Sequence, residues 1–493
     1  MPNDQALRRL ALRTLLAAYP GTTVPQWAVD LVGDGLAGHT LFGGNVDRPG
    51  QLRAATDALR AARADVLVAI DEEGGDVTRL AHATGSPYPG NAALGAVDDP
   101  ALTRQVYRAI GDELATCGAN LDLAPTVDVN TADDNPIIGT RSFGADPALV
   151  ATHAAAAVAG LADAGVAGCA KHFPGHGATV TDSHLELPTV DVPMAVLRRR
   201  DLPPFAAVVE AGTPAIMTAH IRVPALTGDA PATFSRAALT GLLRDEYGFA
   251  GVIVTDALEM RGATLAAGGI VPAAVAALAA GADLLCIGAR VDHALVERVA
   301  AGIVAAIGDG TLPVGRVEQA ADRVTALAAV VRPAADGTAG PADLGYAAAR
   351  RAVRVEGTLD GLADALVVQL TAGSTIAEGR VPWGLGPHLG HARQLRVAPA
   401  EVTAEQVATA ADGRPLVLVG RHLHRVPGAG DLIERLAARH PVAVVEMGWP
   451  SAWRPAGCES RQWPGRRRGP RPGRLSTPSE HTVSRCAPTA VGQ

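Results

Sequence analysis

Lysine is almost missing from this chain: among 43 Lys and Arg residues, Lys171 is the only lysine. A chain that uses arginine everywhere else and keeps one ammonium needs a compact point charge there, which arginine's planar fork does not supply. Aromatic residues are also scarce, at 3%. That excludes the stacking platforms of a long polysaccharide cleft and favours a small pocket whose polar groups hold the ligand. The five cysteines are scattered, and Cys117, Cys169 and Cys286 sit in apolar surroundings typical of reduced core thiols. No apolar run reaches transmembrane length without charges or turn residues. Arg8, Arg9 and Arg13 interrupt the apolar stretch at the N-terminus, so no signal peptide is expected. A net charge of -7, with no basic stripe before residue 450, argues against nucleic acid as a partner. A cytoplasmic, soluble protein is expected, with no membrane partner and an oligomeric state the sequence leaves open.

What is present is length and apolar content: 493 residues, 48% hydrophobic and 19% charged, enough for a large domain and a smaller one. Short apolar runs alternate with Ala/Leu/Arg helical patterns up to about residue 330. Strands are expected at 39–42, 66–70, 120–124, 168–171, 215–218, 252–255 and 284–287. Repeated β-α units of this size predict a parallel sheet, and their number predicts a (β/α)8 TIM-type barrel over 1–335. Its first strand is hard to find between Leu10 and Ala18. Residues 336–350 read as a linker and 351–450 as a small α/β domain, sandwich-like, with strands near 364–370, 395–398, 415–419 and 442–446. Residues 451–493 are rich in Arg, Pro, Gly and Ser and lack apolar periodicity. They read as a disordered or aberrant tail, as an out-of-frame end would, and no function is drawn from them.

The chemistry gathers at expected strand ends. Asp71, Asp122, Lys171, His220 and Asp256 all sit at or just past them, the face that carries active sites in such barrels. Lys171 ends an apolar run and is followed by a loop holding His172, His176, Asp182 and His184. The i, i+4 spacing of His172 and His176 suggests a metal pair, but Pro174 and Gly175 oppose the helix that would align them; no metal and no cofactor are expected. Asp256 follows the run Gly251–Thr255. It reads either as a helix N-cap or as a carboxylate nucleophile able to form a glycosyl ester. Asp182 and His184, at i, i+2, fit an orienting carboxylate and a histidine acid/base. Asp71, in the run Ile70 to Arg79, reads as a solvated acidic turn, a cation site, or a group that with Arg79 exchanges hydrogen bonds with sugar hydroxyls. Arg141 is a further donor on a loop of the same face.

Taken together, the motifs D-x-E-G-G-x-V-x-R at 71–79, R-S-F-G at 141–144, K-H-F-P-G-H-G at 171–177, D-S-H at 182–184 and T-D-A-L at 255–258 resemble glycoside hydrolase family 3, in its β-N-acetylglucosaminidase branch. The resemblance covers about residues 30–330. It implies a retaining mechanism with Asp256 as nucleophile and His184, oriented by Asp182, as general acid/base. It also implies that Asp71, Arg79, Arg141, Lys171 and His172 bind a terminal N-acetylglucosamine of a small saccharide, as in cell-wall (peptidoglycan) recycling. Asp76 departs from the family's usual arginine and is expected to alter charge at the pocket rim.

Three rivals stand beside this reading. A histidine acid/base carries no negative charge when deprotonated, so phosphate can take the place of water and make the enzyme a phosphorylase. A substrate-assisted hexosaminidase would use an adjacent Asp-Glu pair, and Asp245-Glu246 is the candidate, although it falls at a helix end away from any strand terminus. The third is a sugar-binding module on an inactive barrel. The aglycone is not legible.

Overall fold

The computed structural model describes residues 4–331, 343–371, 373, 375, 377–386, 389, 393–455 and 481–486. The chain divides into two compact units, the first comprising residues 1–347 with 376–381 and the second the remainder.

The first unit is the expected barrel. Its strands are β1 (Leu15–Ala17), β2 (Gly38–Leu41), β3 (Leu67–Ile70), β4 (Leu121–Asp122), β5 (Ala167–Phe173), β6 (Ala215–Thr218), β7 (Val252–Thr255) and β8 (Leu285–Cys286). They pair in parallel in the order β7-β6-β5-β4-β3-β2-β1-β8. A parallel bridge between Val254 and Leu284 brings the two ends of the sheet together. All strand residues are buried, because helices cover the outside and side chains fill the inside. Leu16, Leu67, Leu121, Cys169, Met217, Val252 and Leu284 form one cluster, joined by Val324 and Leu327 of the helix Val314–Val330. Helices begin where the sequence supplies caps. Asp99, Asp146 and Asp292 each accept a backbone N–H of the turn they open, leaving fewer orphan donors.

β1 is short because its residues, Leu15-Leu16-Ala17, read locally as a continuation of the helix Asp4–Leu12. Tertiary pairing overrides that propensity: Leu16 stands in register with Gly38 on one side and Cys286 on the other. Cys117, Cys169 and Cys286 are buried free thiols. Among the described residues no single helix is long and apolar enough to cross a membrane.

The second unit holds a six-stranded sheet ordered β11-β10-β12-β13-β14-β9, where β9 is Val353–Glu356, β10 Leu366–Leu370, β11 Gln394–Val397, β12 Leu416–Gly420, β13 Val442–Glu446 and β14 His481–Cys486. Val368, Leu418 and Val444 pack with Ile433 and Leu436 of the helix Ala429–Ala437. Part of the expected linker lies outside the described residues, but Leu344–Ala352 is a helix, which its alanines favour. Most of 451–493 is also outside the described residues. Yet His481–Cys486 pairs antiparallel with β13 and parallel with β9, so part of the expected tail adopts strand structure.

Candidate active site

Two strand ends bring opposite charges together. After β3 the chain turns through Gly74 and Gly75, both at positive φ (77° and 54°). A Cβ on Gly74 would stand 2.8 Å from Pro89 O, and one on Gly75 2.7 Å from Gly90, so only glycine fits this close approach. The turn sets Asp71 and Glu73 facing Lys171. The Lys171 Nζ lies 2.8 Å from Asp71 Oδ1 and 2.7 Å from Glu73 Oε1. Arg141 grips Glu73 with two bonds, Nε to Oε2 at 2.9 Å and Nη2 to Oε1 at 2.8 Å, and Thr126 Oγ1 adds a third at 3.0 Å. Burial would raise Asp71 and Glu73, but the facing cations outweigh it and hold both below the usual carboxylate range. Burial would lower Lys171, and the two carboxylates instead raise it. A single ammonium shared between two carboxylates accounts for the one lysine.

Arg79 folds back as the spacing suggested: its Nη2 is 3.5 Å from Asp71 Oδ2 and donates to Ala377 O at 3.0 Å. Its buried Nε has no hydrogen-bond partner among the described residues. His172 lies within β5 rather than on the loop after it. Its Nδ1 donates to Asp128 Oδ2 at 2.7 Å, and Nε2 is 3.4 Å from Arg141 Nη2. Burial would raise Asp128, and His172 and His176 bring it down. His176 puts its own Nδ1 on Thr179 Oγ1 at 2.7 Å. The two imidazoles meet edge to face, with centroids 6.0 Å apart, and each Nδ1 has its own protein partner.

Asp256 follows β7, which delivers it to the barrel mouth. It caps no helix: the next one, Arg261–Ala267, begins after Met260, which removes the N-cap alternative. Its Oδ1 accepts Ala257 N–H at 2.7 Å. Burial would raise its pKa, but His220, His172, His184 and that N–H bring it to about 2, so the group is ionised at neutral pH. The pair expected at 182 and 184 is formed. His184 Nδ1 is 2.7 Å from Asp182 Oδ1, which also accepts His184 N–H at 2.8 Å. With Nδ1 engaged, Nε2 is the atom left to act on a ligand.

A cavity of about 460 Å³ is lined by Asp71, Arg79, Arg141, Lys171, His172, His184 and Asp256 together, within the range of small-molecule sites. Asp182 is the one expected residue outside that lining; it stands behind His184. Two strand-end residues face elsewhere. Asp122 is fully buried, holds Glu72 N–H at 3.0 Å and leaves Oδ2 without a partner among the described residues. His220 supports Ala257 through Nε2 at 3.1 Å from its carbonyl. Asp76 does not line the cavity either: it accepts the Thr140 hydroxyl at 2.7 Å. Asp245-Glu246 is remote, with Glu246 paired to Arg198 on the surface.

The sequence of residues 24–327 matches the glycosyl hydrolase family 3 N-terminal domain. The chain belongs to glycoside hydrolase family 3. Its family 3 relatives include β-hexosaminidase A of Pseudoalteromonas piscicida, 40% identical over 263 residues, which are 49% of this chain but only 44% of that protein. The β-hexosaminidase of Alkalilimnicola ehrlichii is 40% identical over 51% of this chain and 74% of its own length. Among solved structures, a family 3 β-N-acetylglucosaminidase from Paenibacillus sp. str. FPU-7 aligns with TM-score 0.79 at 32% identity, covering 89% of this chain and 90% of that one. The β-N-acetylhexosaminidase from Beutenbergia cavernae aligns with TM-score 0.58 at 30% identity over 66% of this chain and 98% of its own. The sequence reading missed Glu73, which lines the cavity, and Asp128, which holds His172 and His176 from behind it. Glu73 lies inside the 71–79 motif, and its neighbour Asp71 drew the attention. Asp128 sits in a Val-Asp-Val run whose only hint was a charged residue in an apolar context.

Proposed function

We propose that this protein is a retaining, exo-acting β-N-acetylglucosaminidase that removes a terminal β-linked N-acetylglucosamine from a small saccharide. The observation that carries the reading is the pairing, around one cavity, of an ionised carboxylate with one engaged oxygen and an imidazole whose Nδ1 is tied to a carboxylate. In this reading the free Oδ2 of Asp256 attacks the anomeric carbon, forming a glycosyl ester as the bond to the leaving oxygen breaks. His184, protonated at Nε2, gives that proton to the leaving oxygen, and Asp182 stabilises the imidazolium. In the second step Nε2 takes a proton from water, which attacks the same carbon and releases Asp256. Asp71 accepts from sugar hydroxyls while Arg79, Arg141 and Lys171 supply donors, and His172, whose Nδ1 donates to Asp128, meets the sugar through Nε2.

The test is turnover of p-nitrophenyl β-N-acetylglucosaminide with and without phosphate, with the sugar product identified. Free N-acetylglucosamine at a rate indifferent to phosphate is expected. A phosphate-dependent rate yielding the sugar 1-phosphate would make the enzyme a phosphorylase. Binding of N-acetylglucosamine with no turnover in either buffer would make it a sugar-binding module.

A further inference from the structure

The mechanism leaves His176 and Ser183 without work, although both are buried beside the cavity. The segment that carries the acid/base pair has little else to hold it. From Val180 to Glu186, Val180, Leu185 and Glu186 are exposed, Thr181, Asp182 and His184 are partly covered, and only Ser183 is buried. Ser183 Oγ lies 3.1 Å from His176 Nε2. Its carbonyl accepts Gly262 N–H at 3.2 Å, an approach a side chain at 262 would obstruct, since a Cβ there would sit 3.1 Å from Ser183 O.

His176 itself is fixed on three sides. Its backbone N–H donates to Asp128 Oδ1 at 2.6 Å, its carbonyl accepts Asn135 Nδ2 at 2.9 Å, and its Nδ1 meets Thr179 Oγ1. The proton bookkeeping then selects one tautomer. The Thr179 hydroxyl donates to His176 O at 3.0 Å, so its oxygen accepts from Nδ1–H, and Nε2 carries the lone pair. The Ser183 hydroxyl must therefore donate to Nε2. Burial lowers His176 to about 4, which keeps that lone pair free at neutral pH.

We propose that Ser183 and His176 are a positioning pair: the Ser183 Oγ–H to His176 Nε2 bond pins the loop midway between Asp182 and His184 and so aims His184 Nε2 at the leaving oxygen. The inference rests on the acid/base reading above and adds the group that sets its geometry.

The experiment compares a p-nitrophenyl glycoside, which needs proton donation to its leaving oxygen, with a dinitrophenyl glycoside, which needs almost none. Ser183→Ala and His176→Asn should each lower kcat/KM for the first by about 10-fold to 100-fold, with KM nearly unchanged, and largely spare the second. On the dinitrophenyl glycoside, where breakdown of the ester limits kcat, azide attacks the ester without a general base and should restore kcat in both variants. The double variant should be no worse than the worse single one, since both remove the same bond. His176→Gln keeps an acceptor near the Nε2 position and should retain most of the activity; if Ser183→Ala does not fold, the Gln against Asn contrast carries the test. Equal losses on both glycosides, additive losses in the double variant, or His176→Gln as impaired as His176→Asn would overturn the proposal. Full activity in His184→Ala would instead defeat the acid/base reading beneath it.

Discussion

On one side of the pocket Lys171, Asp71, Glu73 and Arg141 are tied to each other by opposite charge, with the Lys171, Glu73 and Arg141 side chains only 3%, 2% and 6% exposed. On the other side Asp182 and His184 are 17% and 21% exposed and ride on an irregular loop held by neutral hydrogen bonds. On the proposed function, the difference follows from what each side is asked to do. Groups that bind hydroxyls keep one charge state throughout turnover, so a network of fixed, compensated charges can hold them without reorganising. A proton carrier must change its charge in every cycle. A latch built from serine and a neutral imidazole does not feel that change as a charged latch would.

The sharpest way to break this contrast is Glu73→Gln. It strips buried Arg141 of its carboxylate and Lys171 of one of its two, and a loss of about 3–5 kcal/mol in stability is expected, read as a lower denaturation midpoint along with lost activity. His184→Ala should do the reverse. It should cost about 100-fold to 1,000-fold in kcat/KM for the p-nitrophenyl glycoside while moving the thermal midpoint hardly at all. If the histidine variant is the less stable of the two, the division between rigid wall and working loop is wrong. Lys171→Arg tests whether a point charge is needed: the larger fork must fit between two carboxylates, and about 1–3 kcal/mol of destabilisation with a raised KM is expected.

The smallest effect concerns Glu72, behind the wall, which burial raises to about 7. Its pKa is higher folded than unfolded, so between about 4.3 and 7 the folded state binds more protons, and stability falls as pH rises through that window. Glu72→Gln, whose amide oxygen can still accept the Arg79 and Leu80 N–H groups now held by Glu72 Oε2, removes this loss. Thermal midpoints should coincide near pH 4 and favour the variant above pH 7, by on the order of 1 kcal/mol; parallel profiles would refute it.

Much of the barrel was legible because its strands are uninterrupted apolar runs such as Val252–Thr255 and Ala215–Thr218, whose burial on both faces writes itself into composition. β1 was not, since Leu15–Ala17 continues a helical pattern and only its two neighbours make it a strand. β9 and β14 escaped for a related reason. Val353–Glu356 is largely exposed, and His481–Cys486 sits in a region whose composition argues for disorder. In the site, residues that end strands or lie in dense polar loops could be read directly. Glu73, Asp128 and the His176–Ser183 bond could not, because their significance lies in partners 44 to 98 residues away or in which nitrogen holds a proton.

The solitary lysine has a spectroscopic consequence. A sample labelled with isotope only at lysine carries a single side-chain ammonium, and that ammonium sits between two carboxylates of the pocket wall. On the proposed function, sugar entry and the filling of the ester intermediate would both be written into one side-chain resonance, with no assignment to make.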